Sequence, residues 1–130
     1  MTKLEILKQY FGHEKFRSGQ EDIIDNILSG KDVLGIMPTG AGKSVCYQVP
    51  AMLMDGITIV ISPLISLMKD QVRSLTESGI PSAYINSSLS YRQLREVFKR
   101  AAEMQYKIIY VAPERLVTDD FLAFCQKSQK

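Results

Sequence analysis

Apolar positions recur along this chain with two periods, and polar punctuation separates them. Three segments open on a hydroxyl residue followed three positions later by a carboxylate or amide. These capping boxes are Thr2-x-x-Glu5, Ser18-x-x-Glu21 and Ser90-x-x-Gln93, in which side chains satisfy the orphan donors of a helix start. The first predicts a helix bearing Leu4, Leu7 and Phe11. The second predicts one bearing Ile23, Ile24, Ile27 and Leu28, stopped at Gly30, and the third carries Leu94, Val97, Phe98 and Ala101 on one face. A further helical pattern runs from Leu64 to Leu75 and ends at Gly79.

Between these helices lie short apolar runs without alternation: Val33 to Ile36, Ile57 to Ile61, Ala83 to Ile85 and Ile108 to Val111. Strands apolar on both faces belong to a mostly parallel sheet covered by helices on each side. Alternating strand and helix therefore predicts an α/β layer fold. Ligands of such sheets bind beyond the carboxyl ends of the strands, so the residues following each run are the place to look for chemistry.

Composition narrows the picture without redirecting it. The chain has 130 residues, 45% hydrophobic and 23% charged, with a net charge of +2. That is room for one core, and too balanced for disorder or for a polybasic surface. No repeat or low-complexity linker divides it, so it reads as one unit. The apolar runs are far too short to span a membrane, and charges interrupt the first residues where a signal peptide would need an apolar stretch. Cys46 and Cys125 lie far apart, without metal-ligand or redox spacing. A cytoplasmic protein is expected.

The first run of interest follows Val33 to Ile36: Met37-Pro38-Thr39-Gly40-Ala41-Gly42-Lys43-Ser44, and then a helical segment that Pro50 should kink or end. Strand, glycine-rich loop and helix are the context of a phosphate loop. Gly40 and Gly42 let backbone N–H groups converge on phosphate oxygens, and the helix start adds its positive dipole. Lys43 is placed to reach the β- and γ-phosphates, and Ser44 to set its hydroxyl on Mg²⁺. Met37 stands where the general pattern has glycine. The bland alternative is a glycine-rich turn without chemistry.

Upstream, Phe16-Arg17-Ser18-Gly19-Gln20 precedes the loop by one helix and one strand. The Gln20 amide offers a donor and an acceptor that match the N6 and N7 edge of adenine, and Arg17 has a guanidinium plane suited to stacking on that base. Equally, a glutamine at a helix start is often simply solvated.

Four blocks together resemble the RecQ-type DNA helicases of helicase superfamily two. Phe16-Arg17-x-x-Gln20 is similar to that family's adenine motif, with Ser18 where proline is common. Met37 to Gln48 resembles its phosphate loop, in which Met37 is at home. Ser62-Pro63-Leu64-Ile65-Ser66-Leu67-Met68-Lys69-Asp70-Gln71-Val72 resembles its first DNA-contact motif, and Tyr110-Val111-Ala112-Pro113-Glu114-Arg115-Leu116 its second. The run from Ser62 to Gln71 is the most specific, because DEAD-box RNA helicases share only the general layout.

The resemblance implies a RecA-like phosphate-loop fold and an enzyme that couples ATP–Mg²⁺ hydrolysis to 3′-to-5′ unwinding of DNA. Its partners would be single-stranded or partly duplex DNA, its setting DNA repair and recombination, and its place the cytoplasm, at the nucleoid in a bacterium. Under it, Arg17, Gln20 and Met37 to Ser44 hold the nucleotide, with Lys43 and Ser44 catalytic, while Ser62, Pro63, Ser66 and Arg115 contact DNA. Helix-start N–H groups with the Ser62 and Ser66 hydroxyls suit a phosphate, with Pro63 fixing φ at the helix entry and Lys69 and Arg73 adding charge. Arg115 pairs either with a phosphate or with Glu114 or another carboxylate, and Asn86-Ser87-Ser88 offers a further phosphate contact. The alternative is that Pro63 and Leu64 only end a strand and begin a core helix.

Other residues are expected to be structural. His13 reads as a loop residue near the end of the first helix, Cys46 as a small buried apolar residue, and Asp119 and Asp120 after Thr118 as acidic groups at a helix N-terminus. The resemblance also implies parts that do not appear by Lys130: an acidic Asp-Glu strand end, a second motor lobe with its arginine, a zinc site and a winged helix. The 130 residues are thus expected to be the N-terminal part of the first RecA-like lobe, an incomplete lobe. Alone it should be marginally stable or self-associated, with ATP turnover at background. The competing reading is a stand-alone phosphate-loop module that binds nucleotide without catalysis.

Overall fold

In the computed structural model the described residues are 1–35, 42–116 and 118–128. They form two compact units, Met1–Asp55 and Gly56–Lys130. The first is helical: α1 (Lys3–Phe11), α2 (Gln20–Leu28) and α3 (Val45–Leu53). Thr2 caps α1 through a complete capping box with Glu5, and Gly12 ends it in the left-handed region at φ 70°, with His13 just beyond in the loop. Ile6, Leu7, Ile24, Val45 and Val49 form the core, with Tyr10, Phe11, Phe16, Met52 and Leu53 packed against it. Leu4 is on the rim instead of in the core. Lys3 of α1 bridges Glu21 at 2.8 Å and Asp25 at 2.6 Å on α2. These partners push the Lys3 ammonium above its ordinary pKa, the Asp25 contact foremost.

Two expectations for this unit are corrected. Ser18 does not cap α2. Gly19 takes that position at φ 86°, with no side-chain cap bond, and Gln20 is the first helical residue. The left-handed turn brings the chain into the helix one residue later than a Ser18 cap requires. Of the kink or end expected at Pro50, the end does not occur: α3 runs on to Leu53 and closes with the Met54 N–H on the Pro50 carbonyl at 3.0 Å. Proline removes a single N–H, and the burial of Val49, Pro50 and Ala51 outweighs that loss.

The second unit alternates strand and helix: β1 (Thr58–Ile61), α4 (Ile65–Glu77), β2 (Ser82–Ile85), α5 (Tyr91–Ala102), β3 (Ile108–Val111), a 3-10 turn (Pro113–Arg115) and α6 (Asp119–Ser128). The three strands form a parallel sheet in the order β1-β3-β2. Ile109 and Val111 lie on one face with Ile85, Leu94, Ala101 and Phe121, so α5 and α6 cover that side. One residue out of phase, Ser82 turns to the other face, where its hydroxyl donates to the Val72 carbonyl of α4 at 3.4 Å. All four residues of β3 are buried, as a central strand covered on both faces demands. The capping box of Ser90 and Gln93 opens α5, and the Thr118 hydroxyl accepts from the Phe121 N–H at the start of α6.

The expected strand at Val33 to Ile36 does not form over its described part. Val33, Leu34 and Gly35 pair with no strand among the described residues, and Leu34 is 89% exposed. An extended segment without a ladder partner has nothing to fix it as a strand. Ile36 lies outside the described residues. No helix of the described residues is long and apolar enough to cross a membrane.

Candidate functional site

The phosphate-loop residues that the structure describes are Gly42, Lys43 and Ser44. Met37, Pro38, Thr39, Gly40 and Ala41 lie outside the described residues. Gly42 sits at φ 78°, a conformation that side-chain-bearing residues rarely adopt. A Cβ there would come within 2.5 Å of the Gln20 amide nitrogen and 3.8 Å of Arg17 Cδ. Glycine is thus required twice, for its torsion and for the space. Lys43 follows, exposed, with no carboxylate within 4.0 Å of its ammonium among the described residues. Ser44 is half-buried, and α3 starts directly after it with the Gln48 N–H on the Ser44 carbonyl at 2.9 Å.

Gln20 is not a solvated helix-start residue. It is 3% exposed. Its Oε1 accepts from the Arg17 N–H at 2.7 Å and its Nε2 donates to the Gly42 carbonyl at 3.0 Å. The upstream motif and the phosphate loop, 22 residues apart, are therefore joined by one side chain. The chemistry fits ATP and Mg²⁺: an exposed ammonium with no carboxylate within 4.0 Å among the described residues, and a hydroxyl at a helix start. Lys43 would hold phosphate oxygens, and Ser44 would supply one oxygen to an ion that takes its other ligands from phosphates and water. Ile23, Ile27, Val33, Gly35, Cys46 and Tyr47 line an adjoining hollow of about 230 Å³ that also reaches Lys43. Burial raises the Cys46 thiol above its usual pKa, so it behaves as the small apolar residue its position suggested.

In the second unit the parallel register does the positioning. Ile61, Val111 and Ile85 are level across the sheet, so Ser62, Ala112 and Asn86 follow in one row at its carboxyl edge. Backbone bonds extend that row by one step, from the Ser62 N–H to the Val111 carbonyl at 3.1 Å and from the Ala112 N–H to the Ile85 carbonyl at 3.0 Å. The Ser62 hydroxyl accepts from the Leu64 N–H at 3.3 Å, which leaves its own hydrogen to donate outward. Pro63 precedes the α4 N-cap, Leu64, so it does not set φ at the helix entry as expected; it is exposed in the connecting turn. Ser66, Lys69 and Arg73 are all exposed on α4.

Arg115 is half-buried at the far side of the row. Its Nη2 donates to the Asn86 carbonyl at 3.5 Å, and no carboxylate lies within 4.0 Å among the described residues. Pairing with Glu114 is therefore not what holds it. Asn86 itself cannot be a phosphate contact, because it is fully buried. Its Oδ1 accepts from the Ser88 N–H at 2.8 Å and from the Ser88 hydroxyl, and its Nδ2 lies 3.6 Å from Met68 Sδ. It organises the edge from beneath, while Ser87 and Ser88 are the exposed members of that loop. Sequence reasoning missed this role; the turn preference of Asn in Asn86-Ser87-Ser88 was its one signal. Among the described residues no group of His, Cys, Asp and Glu is arranged to hold a metal ion.

Comparison with known proteins supplies the family context. The family model described as DEAD/DEAH box helicase matches residues 17–129. The chain is 47% identical over 128 residues to a Haemophilus influenzae protein named ATP-dependent DNA helicase RecQ, covering 98% of this chain and 21% of that protein. A Bacillus subtilis protein of the same name is 51% identical over 122 residues, 93% of this chain and 21% of its own length. Among solved structures, a hypothetical ATP-dependent RNA helicase from Sulfolobus tokodaii superposes with a TM-score of 0.69 at 22% identity, over 93% of this chain and 36% of that one. The last likeness speaks to the fold alone. The chain spans about a fifth of the length of the two RecQ proteins.

Proposed function

The chain belongs to the DEAD/DEAH box helicase family, and from that premise we propose that it is the N-terminal part of the first RecA-like lobe of a RecQ-type, ATP-dependent 3′-to-5′ DNA helicase. One observation carries the DNA side of this reading: the level row of Ser62, Ala112 and Asn86 at the sheet's carboxyl edge, from which the exposed Ser87–Ser88 loop and Arg115, held on the Asn86 carbonyl, extend. Together they offer hydroxyls and a guanidinium without exposed base-reading amides, which suits sequence-independent phosphate contact. The nucleotide side rests on Lys43, Ser44 and the Gln20–Gly42 bond. ATP with Mg²⁺ supplies the phosphoryl chemistry when bound; Lys43 is there to neutralise phosphate charge, Ser44 to orient the ion, and Gln20 with Arg17 to recognise adenine. DNA repair and recombination in a cytoplasmic, nucleoid setting follow as the proposed context, with single-stranded and partly duplex DNA as partners.

Adenine recognition is testable apart from catalysis. Gln20→Ala in the full-length protein is expected to reduce the preference for ATP over GTP by about tenfold, the worth of a hydrogen-bonded amide. Competition binding with both nucleotides reads it. The same change removes the bonds to Arg17 and Gly42, so thermal stability without nucleotide should also fall by about 1–2 kcal/mol. Full retention of ATP preference would confine Gln20 to that structural bridge.

The DNA row is tested by salt. Replacing Ser62, Ser66 and Arg115 by alanine should weaken single-strand binding alike for different sequences. Arg115→Ala alone should make the slope of log affinity against log salt shallower by ~0.7, one phosphate on a single strand. Equilibrium anisotropy titrations at several salt concentrations check it. Unchanged slopes and affinities in all three would make the row structural only.

A further inference from the structure

Helix α5 carries Arg92, Arg95, Lys99 and Arg100 against the single carboxylate Glu96, more positive charge than the entire chain shows net. Its apolar residues Leu94, Val97, Phe98 and Ala101 belong to the core, so these charges stand on the outer face. Glu96 is taken by Arg100, Nε to carboxylate at 2.9 Å. Arg92, Arg95 and Lys99 have no carboxylate within 4.0 Å among the described residues. Tyr91 is 70% exposed, and the Arg95 guanidinium lies over its ring, 5.8 Å from the ring centre.

Tyr91, Arg95 and Lys99 follow one another at four-residue spacing, with Arg92 beside them, and they line a single shallow groove with Glu96. From Tyr91 to Lys99 the helix rises ~12 Å, the axial span of about three phosphates of one strand. The groove begins where the DNA row lies: Ser90 caps α5 immediately after the Asn86–Leu89 turn at the carboxyl edge of β2. A strand lying across Ser62, Ser88 and Arg115 therefore has a charged path continuing along α5.

We infer that the outer face of α5 is a second single-strand binding surface, in which Arg92, Arg95 and Lys99 hold successive phosphates and Tyr91 stacks on a base. The inference rests on the DNA reading above and extends it beyond the strand-end residues. An exposed ring beside guanidinium groups suits a sequence-tolerant nucleic-acid contact: every base has a face to stack, and every nucleotide a phosphate. An acidic polypeptide would use the cations but leave the exposed ring without a planar partner.

The test uses the full-length protein and a fluorescent 20-nucleotide oligothymidylate. The triple variant Arg92→Gln, Arg95→Gln, Lys99→Gln is expected to bind about tenfold more weakly at low salt. Its salt slope should be shallower by ~2, three phosphates at the single-strand value. Tyr91→Ala should weaken binding with the slope unchanged, because stacking releases no counterion. The charge-keeping variant Arg92→Lys, Arg95→Lys should retain the native slope, which separates charge from damage to the helix. A native slope in the triple variant, while Ser62, Ser66 and Arg115 variants lose affinity, would overturn the α5 surface and leave the DNA reading standing. Native binding in both sets would overturn both. Loss of binding to polyglutamate by the triple variant, with oligothymidylate binding intact, would overturn it in favour of an acidic protein partner.

Discussion

Lys43→Ala in the full-length protein is expected to lower ATP hydrolysis by about 10²–10³-fold or more and to abolish unwinding, while single-strand binding without nucleotide stays near native. Lys43 is exposed, and its ammonium meets no carboxylate within 4.0 Å among the described residues. Its removal therefore costs the fold little. On the proposed reading, what it loses is a fixed positive charge beside the transferring phosphoryl group, a stabilisation that water cannot match because water must reorient to supply it. Strand binding, on the reading proposed above, is assigned to other residues, Ser62, Ser66 and Arg115. A coupled ATPase assay beside an anisotropy titration separates the two effects. Hydrolysis near the native rate would remove Lys43 from the phosphate site, and a parallel collapse of strand binding would show that the two activities share residues.

The two halves of the chain were legible in the sequence to different degrees, for physical reasons. In the second unit the apolar runs at Ile57, Ala83 and Ile108 match β1, β2 and β3 to within one residue, because all three pair with one another in a single sheet. The run at Val33 has the same composition and no partner among the described residues; a strand is a property of a pair, and a single run cannot reveal whether its mate exists. Caps behaved likewise. Thr2 and Ser90 close complete capping boxes, whereas Ser18 is displaced by Gly19, since a left-handed glycine beside the box shifts the helix start and no spacing rule registers it.

The candidate site divides on the same line. Motif residues Gly42, Lys43, Ser44, Ser62 and Arg115 could be put forward from the sequence because the chemistry proposed for them depends on residue type at a local spacing. The bond from Gln20 to Gly42 spans 22 residues and the one from Arg115 to Asn86 spans 29. Such contacts are set by tertiary packing and leave no local signature. The α5 surface was half legible: the apolar face that buries Leu94 and Ala101 could be read, and its complement is the charged face. Only the structure shows that Glu96 spends its charge on Arg100 and that Arg92, Arg95 and Lys99 have no carboxylate within 4.0 Å among the described residues.

Asn86→Ala is expected to destabilise the second unit by about 2–3 kcal/mol and to weaken single-strand binding as well, although Asn86 has no exposed surface. The side chain is buried at the end of β2 and holds the Ser88 N–H and hydroxyl through one oxygen, with its amide against Met68 of α4. Alanine removes the acceptor for the Ser88 N–H and leaves a small void beside Met68. The first loss strands a polar group in partly buried surroundings, and the second forfeits packing contacts. The functional loss follows from the backbone: the Asn86 carbonyl takes the Arg115 guanidinium, so a loosened turn also frees that arginine from its place in the row. Asn86→Asp keeps an oxygen acceptor at nearly the same volume but introduces a fully buried carboxyl, whose charged form burial disfavours. Its pKa should accordingly lie above the value of the unfolded chain, so its stability should approach native below pH 4 and fall as pH rises through that raised value. Chemical denaturation of the full-length protein at several pH values, with anisotropy on the same samples, checks both variants. Native stability in Asn86→Ala would show that Ser88 finds another acceptor. Native stability with weakened strand binding would instead assign Asn86 to positioning Arg115 alone.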